Sequence, residues 1–424
     1  MQDNEKAVIV YPCSRLAGEI ELQGSKNSVL PIMAASLLKK GTTVLENCPD
    51  IADVHVMAGL LRLCGCQVDY SDHVMTIDAS DASNGVLDSE YGSKMRASII
   101  LMGGCLGRFG RFVMPPPGGC AIGKRPVDFH VHAMRSLGAH VTSKEGGIDA
   151  EVGKEGLAGC DIKLPFPSVG ATQNILIAAM CARGATKIYN ASLEPEIWDL
   201  CNYLRMLGAD IKGEKTGNIT IVPPDKICSD DVRYTIPADR IVAGTILAAV
   251  AGCTGNVYIP NVECGRIGSV MKYLGAHQAA QGKGVVLNTD RRKRLECVIS
   301  TGPFPEFPTD MQSVFLTLMA VSGSFCIMEE NVFDTRFNTA YELNSLGADI
   351  RIEGKLAYVY GRRQLHGGTV TAGDLRGGAA LVLAGLFAKE PVTVKGFEYV
   401  QRGYEDLPEN LCRLGAKITE CAVG

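Results

Sequence analysis

A chain of 424 residues, 46% hydrophobic and 21% charged with a formal net charge of −4, is long enough for two ordinary domains, each with its own core. That mildly acidic balance gives no general attraction to nucleic acid or to an anionic membrane surface. The start, MQDNEKAVIVYPC, lacks a basic stretch followed by an apolar core, and no run approaches about eighteen uninterrupted apolar residues, so neither a signal peptide nor a membrane span is expected. The 16 cysteines are scattered, most of them in apolar runs such as IAAMCARG and AVAGCTG, with no CxxC pair and no Cys/His cluster at zinc spacing. Reduced thiols in a cytoplasmic protein are the expectation.

In chain order, two kinds of helical pattern alternate. Segments apolar on nearly every side fall at 28–40, 96–107, 171–183, 240–251, 311–322 and 376–388, as in SVLPIMAASLL and GAALVLAGLFA. Helices of that kind belong in an interior. A short β-rich run follows each, for example TTVLEN (42–47), ATKIYN (185–190) and GNVYIPN (255–261). Then comes an amphipathic helix ending on a shared signature: LLRLCGCQV, MRSLGAHV, LRMLGADI, MKYLGAHQ, LNSLGADI and LCRLGAKI. Its glycines, Gly65, Gly138, Gly208, Gly275, Gly347 and Gly415, recur at separations of 67 to 73 residues. Each reads as a left-handed residue that ends a helix before a strand.

One repeat is therefore strand, buried helix, strand, amphipathic helix, then one or two strands. A lone repeat could not cover its own buried helix, so the six must cluster. The predicted fold class is α/β, with two lobes of three repeats each, helices inside and sheets outside. The first lobe takes 23–236; the second takes 1–22 plus 237–424, with the boundary in YTIPADR (234–240). A linear solenoid of six units is the competing architecture.

The buried helices open on polar residues: Lys26-Asn27, Lys94-Met95-Arg96, Ser168-Val169-Gly170, Asp239-Arg240, Asp310-Met311-Gln312 and Asp374-Leu375-Arg376. Asp and Ser there are ordinary caps. Lys26, Arg96, Arg240 and Arg376 are not, because a cation at a helix N-terminus opposes the dipole. Any one of them could snorkel to solvent or pair with a carboxylate, but the set needs compensating anions. With Arg125, Arg336 and Arg402 added, it describes a site for a multiply charged anion such as a phosphate ester. One Trp and 6% aromatic content do not supply the stacking platforms of a nucleic-acid site.

The stretch Met114–Asp128, MPPPGGCAIGKRPVD, reads as a shaped loop, since prolines fix φ and glycines permit φ > 0. It carries Cys120 beside Lys124 and Arg125, a setting that lowers a thiol's pKa and raises its reactivity. The alternative is a surface loop with an incidental cysteine.

GGCAIGKRPVD together with GSKNSVLPI, KMRASI, SVGAT, EPEI, ADRIVAGT, FPTDMQ, TRF, DLR, LVLAG and QRGYE, in that order from end to end, resembles the enolpyruvyl transferase family, in the branch that acts on a nucleotide sugar. The resemblance implies an inside-out α/β barrel of two lobes, each with three βαβαββ repeats. It implies transfer of the enolpyruvyl group of phosphoenolpyruvate to the 3′-hydroxyl of UDP-N-acetylglucosamine, with release of phosphate, opening peptidoglycan synthesis. No metal or organic cofactor is implied. Carried over by position, Cys120 is a general acid that can form a covalent adduct and would react with an epoxide phosphonate such as fosfomycin. Asp310 takes or orients the proton of the attacking hydroxyl. Lys26, Arg125 and Arg402 hold the phosphate of phosphoenolpyruvate, Arg376 lies near its carboxylate, and Asn27 beside Lys26 also binds phosphoenolpyruvate. Contacts to UDP-N-acetylglucosamine fall to Asn27, Arg96, Arg125, Pro126, Val127, Asp128, Phe129, Ser168, Val169, Asp310 and Val332. Asp239, Arg240, Arg336 and Asp374 support them, the two aspartates by orienting neighbouring cations or by contacts in the reaction's tetrahedral stage.

One departure is Phe166-Pro167 before SVGAT, where many members carry a lysine; one exposed charge contact to the diphosphate is lost, worth about 1 kcal/mol. Two other readings stay open. Enolpyruvylshikimate-phosphate synthase shares the repeats but lacks the GGCxIGxRPVD loop. A catalytically silent paralogue could bind a nucleotide sugar as a regulator. His130 and His132 read as surface or lobe-contact residues rather than metal ligands, and Trp198 as a partly buried packing residue.

Overall fold

Six helices apolar on every side become six buried helices. In the computed structural model, which describes residues 6–87, 95–116, 127–144, 147–280, 282–333, 336–362 and 364–422, they are Lys26–Ser36, Leu101–Phe109, Val169–Ala179, Arg240–Gly252, Gln312–Ala320 and Leu375–Phe387. Two of them are entered through a 3-10 turn, Arg96–Ile100 and Thr309–Met311. That turn, and helix ends a few residues short of the apolar runs, account for the differences from the sequence-based bounds. The amphipathic partners are Ala52–Leu63, Asp128–Ser136, Pro195–Met206, Cys264–Leu274, Thr339–Ser345 and Leu407–Arg413. All six signature glycines have φ between 78° and 111°. That left-handed conformation is strained for a residue with a Cβ, which explains the recurrence of glycine at this point.

Two compact units divide the chain. A central unit runs from Gly24 to Pro237 among the described residues, and a terminal unit takes those up to Gln23 and from Ala238 onward. Among the described residues each holds three buried helices, three amphipathic helices and three sheets. The repeat is clearest in the sheet of Asp210–Lys212, Asn218–Val222, Thr186–Tyr189 and Asp161–Lys163. The strand before the buried helix pairs parallel with the strand after it. The hairpin that follows the amphipathic helix then adds antiparallel.

Each unit closes on itself by borrowing a strand from its far end. In the central unit, Val232–Thr235 pairs parallel with Thr42–Glu46 and supplies the strand missing before Lys26. In the terminal unit, Lys6–Val10 sits between Val392–Lys395 and Ile418–Ala422, antiparallel to both, and completes the last repeat. Leu16–Glu19 does the same for the repeat that starts at Arg240, pairing parallel with Gly255–Ile259.

The inward faces of the sheets and both kinds of helix form one hydrophobic core per unit. Helices approach closely where the sequence allows. A Cβ on Gly103 would lie 2.6 Å from the Asn174 carbonyl oxygen, so the Leu101–Phe109 and Val169–Ala179 helices meet with a glycine between them. Among the described residues every cysteine is a free thiol, and no helix is long and apolar enough to cross a membrane.

Candidate active site

In the terminal unit the chemistry-bearing residues gather at the starts of the three buried helices. Asp239 caps Arg240–Gly252, its Oδ1 accepting from the N–H of Ile241 (2.8 Å) and Val242 (3.2 Å). Asp374 caps Leu375–Phe387 in the same way, through the N–H of Arg376 and Gly377, both at 2.9 Å. The bond from Arg376 to Asp374 is therefore made by its backbone, and its guanidinium is turned elsewhere.

That guanidinium goes to Asp310. Arg376 Nη2 donates to Oδ2 at 2.9 Å and Arg336 Nη2 donates to Oδ1 at 2.8 Å, so one carboxylate is gripped by two arginines. The arginine side chains are 4% and 2% exposed, the Asp310 side chain 28%. Burial raises the Asp310 pKa, but the charges and hydrogen bonds of Arg376 and Arg336 outweigh it and hold the carboxyl well below its ordinary value. Burial likewise disfavours charge on Arg376, and Asp310, Tyr404 and Asp239 restore it. Tyr404, whose hydroxyl bonds Thr245 Oγ1 at 2.9 Å, lies with its ring 5.4 Å from Arg376 Cζ. Two buried donors here, Arg376 Nη1 and Arg336 Nε, have no hydrogen-bond partner among the described residues. Buried donors of this kind are what an anionic ligand would satisfy. Arg240, also buried, has its Cζ 5.9 Å from the Phe304 ring, and half-buried Arg402 ends the 3-10 turn Phe397–Arg402. Val332 is half-buried and donates its N–H to Glu330 at 2.8 Å.

In the central unit, Lys26 opens its helix 2.5 Å from Asp53, with side-chain exposures of 13% and 5%. The compensating anion that the sequence pattern assigned to a ligand is thus partly internal: Asp53 for Lys26, and Asp310 for Arg336 and Arg376. Asn27 is half-buried. Ser168 caps the Val169–Ala179 helix, accepting from Ala171 N at 3.3 Å, and Val169 is its first residue. Phe166 just before it is 40% exposed. Val127 precedes the Asp128–Ser136 helix, which starts on Asp128 and Phe129. Cys120, Arg125 and Pro126 lie outside the described residues, as does Lys94.

His130 is a correction to the sequence reading. It is buried, not a surface residue, while His132 is exposed. The Asn174 oxygen accepts from Gly103 N (2.7 Å), which turns the Asn174 amide nitrogen toward Ile99 O (2.8 Å) and His130 Nδ1 (2.8 Å). His130 Nδ1 must then accept, leaving its proton on Nε2, where the ring packs on Gly170. Burial, then the positive charge of Arg96, pushes its pKa down to about 3. Half-buried Arg96, its own pKa lowered by burial, thus stands beside an imidazole that is neutral at pH 7. Trp198 is half-buried, with the Lys215 ammonium 4.6 Å from its ring.

Among the described residues no group of three or more His, Cys, Asp or Glu side chains could hold a metal ion. In the terminal unit the arrangement is instead one of arginines and aspartates at helix starts, suited to phosphate and carboxylate groups and to proton transfer; in the central unit Lys26 and Arg96 open their own elements.

The sequence matches the pattern of the family described as EPSP synthase (3-phosphoshikimate 1-carboxyvinyltransferase) over residues 10–411. The chain belongs to the enolpyruvyl transferase family. It is 42% identical over 414 residues to UDP-N-acetylglucosamine 1-carboxyvinyltransferase 1 of Caldanaerobacter subterraneus subsp. tengcongensis, covering 97% of this chain and 98% of that relative. It is 42% identical to UDP-N-acetylglucosamine 1-carboxyvinyltransferase of Finegoldia magna, covering 95% and 96%. Its fold is similar to that of the enolpyruvyl transferase NikO from Streptomyces tendae, with TM-score 0.87, 24% identity, and 99% and 100% of the two chains covered. It is also similar to EPSP synthase from Acinetobacter baumannii, with TM-score 0.73, 19% identity and coverage of 98% and 100%. As an enolpyruvyl transferase, the chain has a fold of six repeats on the βαβαββ plan; among the described residues the repeat around Leu101–Phe109 has a three-stranded sheet, to which Val86 adds a single parallel bridge at Val113.

Proposed function

We propose that this chain transfers the enolpyruvyl group of phosphoenolpyruvate to the 3′-hydroxyl of UDP-N-acetylglucosamine and releases phosphate, opening peptidoglycan synthesis in the cytoplasm. The observation that carries this reading is identity of about 40% along nearly the whole chain to relatives named for that reaction. Structural neighbours related to shikimate chemistry are only 19% identical and speak to the fold alone.

In this reading Cys120 delivers a proton to the methylene carbon of phosphoenolpyruvate while the sugar hydroxyl attacks the adjacent carbon; the C–O bond to phosphate then breaks, phosphate leaves, and the methyl group just formed gives up a proton, which restores the double bond. Asp310 accepts or steers the hydroxyl proton. Its low pKa guarantees the ionised form a base must have, yet makes it a weak base while two arginines hold it. When the anionic groups of phosphoenolpyruvate compete for Arg376 and Arg336, that hold weakens and the carboxylate becomes more basic at the moment it is needed. Lys26, Arg125 and Arg402 would take the phosphate, with Asp53 yielding part of Lys26 to it. Arg96, Asn27, Val127 to Phe129, Ser168, Val169 and Val332 would bind the sugar nucleotide. Neutral His130 lets Arg96 present its charge without a second cation beside it.

The test is release of inorganic phosphate by wild type and by Cys120→Ala. Release that needs both substrates, and falls at least a hundredfold in the variant, on the order expected for loss of a general acid, supports the reading. No release with both substrates present overturns it.

A further inference from the structure

Next to Asp310 stands a carboxylate that neither the sequence pattern nor the proposed reaction uses. Glu330 is 2% exposed and follows the strand Phe325–Glu329. Both of its oxygens take the Thr309 hydroxyl, Oε1 at 3.0 Å and Oε2 at 2.9 Å. Oε1 also accepts the N–H of Val332 at 2.8 Å and of Phe333 at 3.0 Å. A hydroxyl has a single proton, and a carboxylate can only accept. The Thr309 proton is therefore committed to Glu330, and its oxygen must turn a lone pair outward. Arg336 Nη1 donates to that lone pair at 3.0 Å.

A second route joins the same two residues. The Phe333 ring centroid lies 5.1 Å from Arg336 Cζ, and Phe333 is one of the two residues whose N–H Glu330 holds. So Glu330 fixes a hydrogen-bond acceptor at one end of the Arg336 guanidinium and an aromatic neighbour beside it. The guanidinium is a rigid fork. Setting Nη1 on Thr309 sets the direction of Nη2, which meets Asp310 Oδ1 at 2.8 Å. Glu330 and Arg336 are each 2% exposed, so water is a poor substitute for a partner that either loses, and networks of this kind are worth more than their separate bonds.

We infer that Glu330 is a positioning residue for enolpyruvyl transfer: through Thr309 and Phe333 it aims Arg336 at Asp310. This rests on the role given to Asp310 above. A glutamine at 330 has nearly the same shape but carries an amide NH2. With its NH2 in the place of Oε2 it would donate to the Thr309 oxygen and compete with Arg336 Nη1 for the lone pair that aligns it. Turned the other way it would leave Val332 and Phe333 without their acceptor.

The experiment compares wild type, Glu330→Gln, Thr309→Val, Thr309→Ser and the double variant Glu330→Gln/Thr309→Val by steady-state phosphate release and by melting temperature. Expected are a roughly ten- to hundredfold fall in kcat for Glu330→Gln and Thr309→Val, the size of one charge-assisted contact, with KM for each substrate changed about threefold or less. The double variant falls no further than the worse single, because both cut the same chain of contacts. Thr309→Ser, which keeps the hydroxyl, restores most of the kcat lost in Thr309→Val. If Glu330→Gln fails to fold, the Thr309 pair decides alone. Additive losses that track melting temperature, a Thr309→Ser no better than Thr309→Val, or wild-type kcat in Glu330→Gln would overturn the inference. A wild type that releases no phosphate would count against the enolpyruvyl-transfer reading instead.

Discussion

Arg376 Nη2 lies 2.9 Å from Asp310 Oδ2, and the same guanidinium keeps its buried Nη1 without a hydrogen-bond partner. One side of this cation neutralises the candidate base, and the other is a buried donor with no hydrogen-bond partner among the described residues. Asp310→Asn removes the charge that two nearly buried arginines share. We expect it to cost about 3 kcal/mol of stability at neutral pH, as for other broken buried pairs, and to lower kcat by roughly two to four orders of magnitude. The folded-state pKa of Asp310 is depressed, so its stabilising contribution is complete above about pH 4 to 5 and is lost as pH falls toward the folded value. Urea unfolding at several pH values should show a constant gap between wild type and variant at neutral pH that narrows below about pH 4. A gap that widened in acid would contradict the assignment.

His130 should make the central unit acid-sensitive in a different window. Its pKa falls from 6.5 to about 3 on folding. A depressed folded value means the contribution is present above the unfolded pKa and is lost as pH drops below it. Stability should decline by up to about 1.4 kcal/mol per pH unit between pH 6 and 4, and His130→Gln should flatten that slope. The check is melting or urea midpoint against pH for both proteins; equal slopes would refute the buried, neutral imidazole.

For Lys26 and Asp53 the prediction concerns the pair. Asp53→Asn alone should cost about 2 kcal/mol, since it removes the carboxylate charge 2.5 Å from a partly buried ammonium. Lys26→Gln added to it should restore part of that loss. A double-mutant cycle by denaturant unfolding measures the coupling, and strict additivity would mean the 2.5 Å contact contributes nothing.

Asp374 separates capping from charge. Asp374→Ala should cost about 1 kcal/mol through loss of the cap, while Asp374→Asn, which caps equally well, should leave stability within a few tenths of a kcal/mol. If Asp374→Asn also leaves kcat within severalfold of wild type, the cap is the residue's main work. A large loss of kcat without a loss of stability would assign it a direct role toward substrate.

Much of the fold was legible because its rules are local. A glycine is required at each left-handed helix end, so Gly65 to Gly415 announced six repeats, and GAALVLAGLFA could only be an interior helix. The candidate cations were legible too, since Arg376 or Lys26 at a helix start breaks the dipole rule. What answers those cations was not. Asp53 is 27 positions from Lys26, Asp310 is 66 from Arg376, and Thr309 is 21 from Glu330; no period or spacing links them. His130 misled for the same reason: HVH reads as polar, and only Asn174, locked by Gly103 from a neighbouring helix, makes its burial affordable. The reach of the apolar runs also hid where helices begin, because 3-10 turns at Arg96 and Thr309 satisfy the same pattern.

The most direct test of the account is mass spectrometry of the nucleotide sugar after incubation of the protein with UDP-N-acetylglucosamine and phosphoenolpyruvate. The account predicts that UDP-N-acetylglucosamine gains one enolpyruvyl group in step with the phosphate released. Unmodified UDP-N-acetylglucosamine after prolonged incubation with active-site residues intact would contradict it.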